Sequence, residues 1–452
     1  MTTRNRISAI GSSLLASGTL LLGAAVGSAS AQQPAGASRP AVVPRLSAAD
    51  RDAALTAVRK MLAEEYVIPE MRAKLVKRLS QAEKAGRYAV EEPFVFAERV
   101  TEDLRAVSRD GHLSLQYSPA EYAASLAPPT SDAGSTARWR RQATRGHHGL
   151  RELKILPGNI RYLKITGFDW VTDETGAAYD GALRFLKDGD AVIIDLRGNG
   201  GGSSEAVQYL TSHFLPADTL MLTFLQGSAP PFQSRALNHV PAGRLRGKPM
   251  YVLIDGGVAS AAEEFAYHVQ QFKLGELVGA RTAGGANNNR LVPIAPGFIL
   301  SVSIGRPVHA VSNSNWEGVG IAPSAEAAPA QALDVAQSLA LRRLAGAPSV
   351  DPAILAEYDW ALAAVEARLR PVTVSAKELR ALAGRYGEVT VTFRDRGLWV
   401  ARPNREPRRL APLTAEGLFA LEGVDVLRVR FTAKGLELLR LGEPAARVFD
   451  KS

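Results

Sequence analysis

Ser260 stands where a nucleophile would be useful. Residues 251–268 read YVLIDGGVASAAEEFAYH: a short apolar strand, a break at Asp255-Gly256-Gly257, then helix formers from Ala259 onward. A strand, a glycine-enabled tight turn and a small residue at a helix start is how α/β hydrolytic enzymes present a serine. The first helical N–H groups have no intrahelical partners, so an oxyanion beside Ser260 would meet donors already in place. The same residues also suit an ordinary N-cap serine. This stretch alone leaves both readings open.

A second chemical feature is the run Arg197-Gly198-Asn199-Gly200-Gly201-Gly202, directly after the apolar stretch 191–196. No Gly-Lys-Ser/Thr follows, and the spacing is neither a P-loop nor a dinucleotide fingerprint. Its backbone N–H groups could form an oxyanion hole, or the run could be a tight turn without chemistry. A base for Ser260 must come from elsewhere. His147, His148 and His239 lie in loops without a motif, and His213 ends the helix after the glycine run. His268 follows Ser260 by eight residues, which a continuous helix turns into about 12 Å. His112 and His309 remain.

The elements that would hold these residues alternate. An alternating strand is expected at 159–165, a helix at 175–186, a buried strand at 191–196, a helix at 204–214, then the strand and helix around Ser260 and a further strand at 274–278. Strands alternating with helices imply a parallel sheet covered on both faces. Ahead of it, Ser47 with Asp50 opens a helix, and two more are expected at 69–85 and 94–106, giving a helical N-terminal domain over 47–115. Residues 116–154, with Pro119, Pro128, Pro129 and an arginine run, are expected to be a long surface loop. The core should occupy 155–345, a helix 351–372, and a small antiparallel β domain 375–452, with strands expected at 388–393, 398–401, 417–421, 426–431 and 436–440.

The first 31 of 452 residues combine Arg4 and Arg6, an apolar run broken by Ser12, Ser13 and Ser17, and Ala29-Ser30-Ala31, the pattern of a secretory signal peptide cut after Ala31. Residues 32–46 read as a linker. Export would place the chain in the periplasm or outside the cell, without a membrane anchor. The absence of cysteine excludes disulfides and a lipoprotein anchor. The net charge of +9 falls to +7 once Arg4 and Arg6 are gone. With no basic stripe interleaved with aromatics, nucleic acid is not expected as a partner.

Four ordered motifs, DLRGNGGG (195–202), VASAAEEFAY (258–267), GARTAGG (279–285) and EGVGIAP (317–323), resemble the tail-specific proteases of serine peptidase family S41. The resemblance implies a spiral α/β core similar to crotonase and Clp-type peptidases. Ser260 would be the nucleophile, with the N–H of Ala261 and of Gly200 or Gly201 as oxyanion donors. Carboxy-terminal processing members carry a lysine base in G-x-x-T-x-G-K-G, and aligned on Gly279, Thr282 and Gly284 that position is Gly285 here. They also carry a PDZ domain, for which the 46 residues between His112 and Asn159 are too few. The tricorn-like and interphotoreceptor retinoid-binding-protein-like branches place a histidine just after the helical region, and DGHL (110–113) resembles that motif, so His112 is preferred to His309. Glu317 matches the glutamate of the tricorn tetrad. The serine that links histidine to glutamate there is Gly111 here, so direct contact, water or a neighbouring residue such as Ser108 would have to substitute. Glu263 and Glu264 are alternatives, expected to be exposed helix charges. Ser324 replaces the family's usual aspartate.

The resemblance thus implies an exported serine peptidase acting on peptides or proteins through an acyl-enzyme, with no metal or cofactor. A non-catalytic binder of apolar, lipid- or retinoid-like ligands is the alternative the same branch permits. The C-terminal unit resembles the small β domain of some serine β-lactamase-like proteins.

Overall fold

The computed structural model describes residues 44–127, 133–226 and 229–452. The expected signal peptide and most of the linker lie outside them.

Helix α1 (Ala48–Glu65) starts at a capping box between Ser47 and Asp50, as the sequence suggested. With α2 (Pro69–Lys84) and α3 (Pro93–Ser108) it turns Leu55, Val58, Leu62, Leu75, Leu79, Phe96, Val100 and Leu104 inward. Arg109 stops α3 in the left-handed region at φ 56°. Five residues later the chain enters β1 (Ser114–Tyr117). These helices are not a free-standing domain, because their apolar cluster is completed by Leu113, Leu115, Phe298, Leu300 and Val302 from a sheet. His112 is therefore delivered from the seam between helices and sheet.

Of the region expected to be loop, 116–154, the described residues instead form α4 (Pro119–Leu126), α5 (Ala133–Arg145), a 3-10 turn at His147–Gly149, and the edge strand β2 (Leu150–Leu156). The prolines misled the reading. Pro119 occupies the first helical turn, where its missing N–H is not needed, and alanines and arginines are good helix formers.

The central sheet then forms from β3 (Ile160–Ile165), β4 (Ala191–Asp195), β7 (Met250–Ile254), β8 (Glu276–Gly279) and β11 (Ala325–Glu326), all parallel, with antiparallel β2 at the edge. Strands β4 and β7 are buried throughout. One face is covered by α6 (Thr172–Lys187), α7 (Ser204–Ser212) and α8 (Ala261–Gln271), the other by α9 (Ala332–Ala345) and α10 (Pro352–Leu369). A second sheet holds β1, β5 (Leu220–Gln226), β6 (Ala229–Arg235), β9 (Asn288–Ile294) and β10 (Phe298–His309).

After α11 (Ala376–Leu382) the chain meanders through β12 (Gly384–Tyr386), β13 (Val389–Arg394), β14 (Gly397–Ala401), β15 (Arg408–Pro412), β16 (Leu418–Leu421), β17 (Val424–Thr432), β18 (Gly435–Arg440) and β19 (Arg447–Asp450). Lys451 pairs back with Tyr386, and Ser452 N–H donates to Arg385 O at 2.9 Å, so the eight strands close on themselves. Inward Val391, Leu398, Val400, Leu410, Phe419 and Val429 fill the interior. The unit rests on α10 through Arg428, whose guanidinium stacks 3.9 Å above the Trp360 ring, and through Trp360 Nε1–H donating to Asp425 O at 2.8 Å. The molecule is thus a mixed α/β protein with a helical N-terminal region and an antiparallel C-terminal sheet. No helix among the described residues is long and apolar enough to cross a membrane.

Candidate active site

Strand β7 ends at Ile254, and the turn after it is pinned by the Asp255 carboxylate, which accepts from Gly257 N–H at 2.9 Å and Gly198 N–H at 3.0 Å. Ser260 follows at φ 53°, ψ −125°, a conformation costing a non-glycine residue about 1–3 kcal/mol. Strain at the junction of a strand and a helix exposes the serine, as in a nucleophile elbow. Gly201 lies against it. A Cβ at 201 would stand 2.8 Å from Ser260 Cβ and 2.8 Å from Ala259 O, so only glycine lets the two loops meet.

The buried side chain of Asn199 fixes the glycine loop. Its Nδ2–H donates to Ile165 O at 3.1 Å, its backbone O accepts from Ala259 N–H at 3.1 Å, and its Oδ1 accepts from Gly201 N–H at 2.9 Å. That last bond corrects one expectation: the Gly201 N–H is already committed and is not a free oxyanion donor. Among the described residues no hydrogen bond uses the N–H of Gly200 or Ala261.

Glu263 and Glu264, expected to be exposed, are both buried, because the inner face of α8 meets polar backbone rather than solvent. Glu263 Oε1 accepts from Thr282 Oγ1–H at 2.5 Å and Gly284 N–H at 2.7 Å; Oε2 accepts from Gly285 N–H at 2.8 Å and Ser260 N–H at 3.0 Å. One carboxylate therefore ties the turn at Ser260 to the segment 282–285, whose Gly285 lies against His112. Glu264 reaches the start of α7 instead, accepting from Ser204 Oγ–H at 2.7 Å, and burial pushes its pKa up to about 8.

His112 lies over Gly285. A Cβ at 285 would stand 2.9 Å from His112 Cε1, so the imidazole fills the space a side chain at 285 would need. Burial lowers its pKa from 6.5, with Asp110 pulling it back up and Arg105 pushing it further down. Its Nδ1 is buried without a partner, and no hydrogen bond joins it to Ser260 Oγ among the described residues. Catalytic hydrogen bonds of unliganded sites often close only around substrate. The alternative, His309, is buried in a different place: its Nε2 pairs with His268 Nδ1 at 3.1 Å and its ring packs on Phe272.

The link to Glu317 is by backbone. Gly111 N–H donates to Glu317 Oε1 at 3.1 Å, while Oε2 accepts from Ala286 N–H at 2.6 Å and Asn287 N–H at 2.7 Å. Ser108 turns away, its hydroxyl donating to Leu104 O and capping Asp110 N–H. A residue missed in the sequence is Asp110, which is 1% exposed. It accepts from His112 N–H at 2.9 Å, Tyr66 O–H at 3.1 Å and Asn287 Nδ2–H at 3.4 Å. An acid two residues before a histidine, able to accept its N–H in an Asx turn, was the available signal.

Asp110, His112 and Glu317 each bring one ligand-type atom within 4.8 Å of the others. Glu317 faces three amide N–H groups, positive ends first, which suits a hydrogen-bonded carboxyl better than a metal cation. Burial, then the Asp110 carboxylate, push Glu317 from its ordinary 4.5 to about 7, against those three N–H groups. Between about 4.5 and 7 the folded chain keeps a proton here that the unfolded chain has lost, so this group's contribution to stability falls as pH rises through that window. Glu317→Gln, always neutral, removes the slope. Melting temperature should fall more steeply with pH in wild type than in the variant over that window, and parallel curves would dismiss the shift.

Residues 159–327 match the family model described as Peptidase family S41. The chain is 27% identical over 169 residues to the carboxy-terminal processing protease CtpB of Bacillus subtilis, covering 36% of this chain and 33% of that one. It is 25% identical over 178 residues to a carboxy-terminal-processing protease of Bartonella bacilliformis, covering 37% and 38%. It thus spans little more than a third of the length of these curated relatives. Among solved structures, a photosystem II D1 C-terminal processing protease overlays with a TM-score of 0.41 at 15% identity, covering 63% of this chain and 94% of that one.

Proposed function

From its place in peptidase family S41, carried by residues 159–327, we infer that this chain is a serine peptidase whose base is His112. The observation that carries the reading is the seat of His112 on Gly285: the imidazole occupies the space that a side chain at 285, the lysine position of the motif, would enter. Glu263, accepting from both Ser260 and Gly285, holds nucleophile and base platform together.

In this reading His112 takes the Ser260 Oγ proton as Oγ attacks a substrate carbonyl carbon. The oxyanion forms against the N–H groups of Gly200 and Ala261. His112 then returns the proton to the leaving amine, and water, deprotonated by the same imidazole, releases the acyl group. A base with a lowered pKa is neutral and ready at pH 7. Asp110 and Glu317 orient the loop through the His112 and Gly111 amides. Export through residues 1–31, to the periplasm or beyond the cell, belongs to the same proposal and rests on the sequence pattern.

A fluorophosphonate probe tests it. Wild-type protein recovered from the exported fraction, beginning at Gln32, should be labelled, and Ser260→Ala should not. Absence of labelling in folded wild type would sink the enzyme reading. The apolar-ligand alternative has as its site an open cleft of about 920 Å³ at the start of β7 and β8, where Phe214, Leu245 and Phe272 share the lining with Arg246, Lys248 and Glu276. A ligand held there would predict binding without labelling.

A further inference from the structure

Strand β2 (Leu150–Leu156) is the edge of the catalytic sheet, paired with β3 on one side only. Among the described residues, none of residues 151–156 makes a backbone hydrogen bond beyond that pairing. Open edges template further strands, and proteins usually blunt them with charge, proline or a covering loop. This edge instead presents Leu153 at 39% exposure and Ile155 at 61% on one face. On the other face Lys154 Nζ reaches Glu152 Oε1 at 2.5 Å, with both side chains still partly exposed.

We propose that β2 is the dimerisation strand of this protein, pairing antiparallel with β2 of a second copy about a twofold axis at Leu153. The sequence LRELKIL selects that register. With the axis at its central residue Glu152 faces Lys154 and Leu153 faces itself, and Arg151, in the bulge that interrupts the ladder between Leu150 and Glu152, comes beside Ile155. The one charge pair, Glu152 with Lys154, is opposite in sign and is made twice across the axis. The Arg151 stem lies along the Ile155 side chain, and the facing leucines cover each other. A twofold interface must be self-complementary in this way. The exposed apolar residues, left in water in the single chain, become cross-strand partners, and the two central sheets become one. Slipping the register by one residue would face Glu152 with an apolar side chain of the other copy and Arg151 with either Leu156 or the like-charged Lys154, which disfavours it.

Sedimentation velocity over a concentration series checks this without reference to catalysis. Wild type should form a two-chain species. Glu152→Lys and Lys154→Glu should each place like charges opposite one another twice and weaken it by about tenfold or more, with unchanged thermal melts. Mixing these two variants in equal amounts should restore the two-chain species, because each residue then meets its opposite in the partner. The doubly exchanged chain, E152K with K154E, should likewise dimerise as wild type does. A wild type that stays monomeric at every concentration, single variants that dimerise normally, or a mixture that fails to recover would each overturn the assignment.

Discussion

Changing His112 to alanine is expected to leave the protein folded and to slow acylation of Ser260 by ~10³-fold or more, the contribution of a positioned general base. The side chain is half-buried rather than central to a core, and its Nδ1 has no partner to strand. Its removal therefore leaves no donor or acceptor unpaired. Gly285→Ala tests the same contact from the other side. The new Cβ would stand 2.9 Å from His112 Cε1, inside any permitted separation, so the imidazole must move. A displacement on the order of 1 Å between reacting groups costs roughly 10²-fold, so this variant should be slowed less than His112→Ala but clearly below wild type. Both rates are read by stopped-time fluorophosphonate labelling, with thermal melts as the control for folding. Labelling of His112→Ala at the wild-type rate would show that Ser260 draws its base from elsewhere.

Much of this site could be read in the sequence because its parts are local. The buried run before Asp195, the apolar strand before Ser260 and the glycines between them follow from periodicity and turn chemistry, and the structure has strands, turns and helices there. What could not be read depends on contacts across long stretches of chain. Glu263 and Glu264 have the appearance of surface charges on a helix, and nothing nearby in sequence shows that Thr282, Gly284 and Gly285 will surround the first or Ser204 will meet the second. The glycine loop offered two candidate donors, Gly200 and Gly201. Only the fold shows that Asn199 consumes the Gly201 N–H. Gly111 has no side chain to link His112 to Glu317, and the backbone N–H does the linking. The two helices within 116–154 were missed for a different reason: helix propensity was outweighed by proline count, although a proline at the first turn favours a helix.

Glu263→Ala should produce the largest loss of stability among these variants. Four donors, from Ser260, Thr282, Gly284 and Gly285, converge on a side chain with no exposure, and alanine leaves all four without this acceptor, two of them buried. Removing one side of a buried, fully bonded charge site costs ~3–5 kcal/mol. For a cooperative unit of about 150–250 residues that is a fall of roughly 6–20 °C in melting temperature. Glu263→Gln should recover part of it, since one amide oxygen can still accept while the NH₂ group faces N–H donors it cannot satisfy. The neighbouring Glu264 supplies the contrast. Burial pushes its pKa up to about 8, so at neutral pH it is mostly the uncharged acid, and the amide of Glu264→Gln mimics that form while still accepting from Ser204. Glu264→Gln should therefore melt close to wild type, although it lies one residue away and is nearly as buried. The two amide variants, measured by calorimetry at pH 7, distinguish a carboxylate that holds the elbow from one that only fills its place. Equal losses at both positions would mean that burial alone, rather than the convergence of donors on Glu263, sets the cost. In that case the coupling of Ser260 to the His112 platform would have to be sought outside this carboxylate.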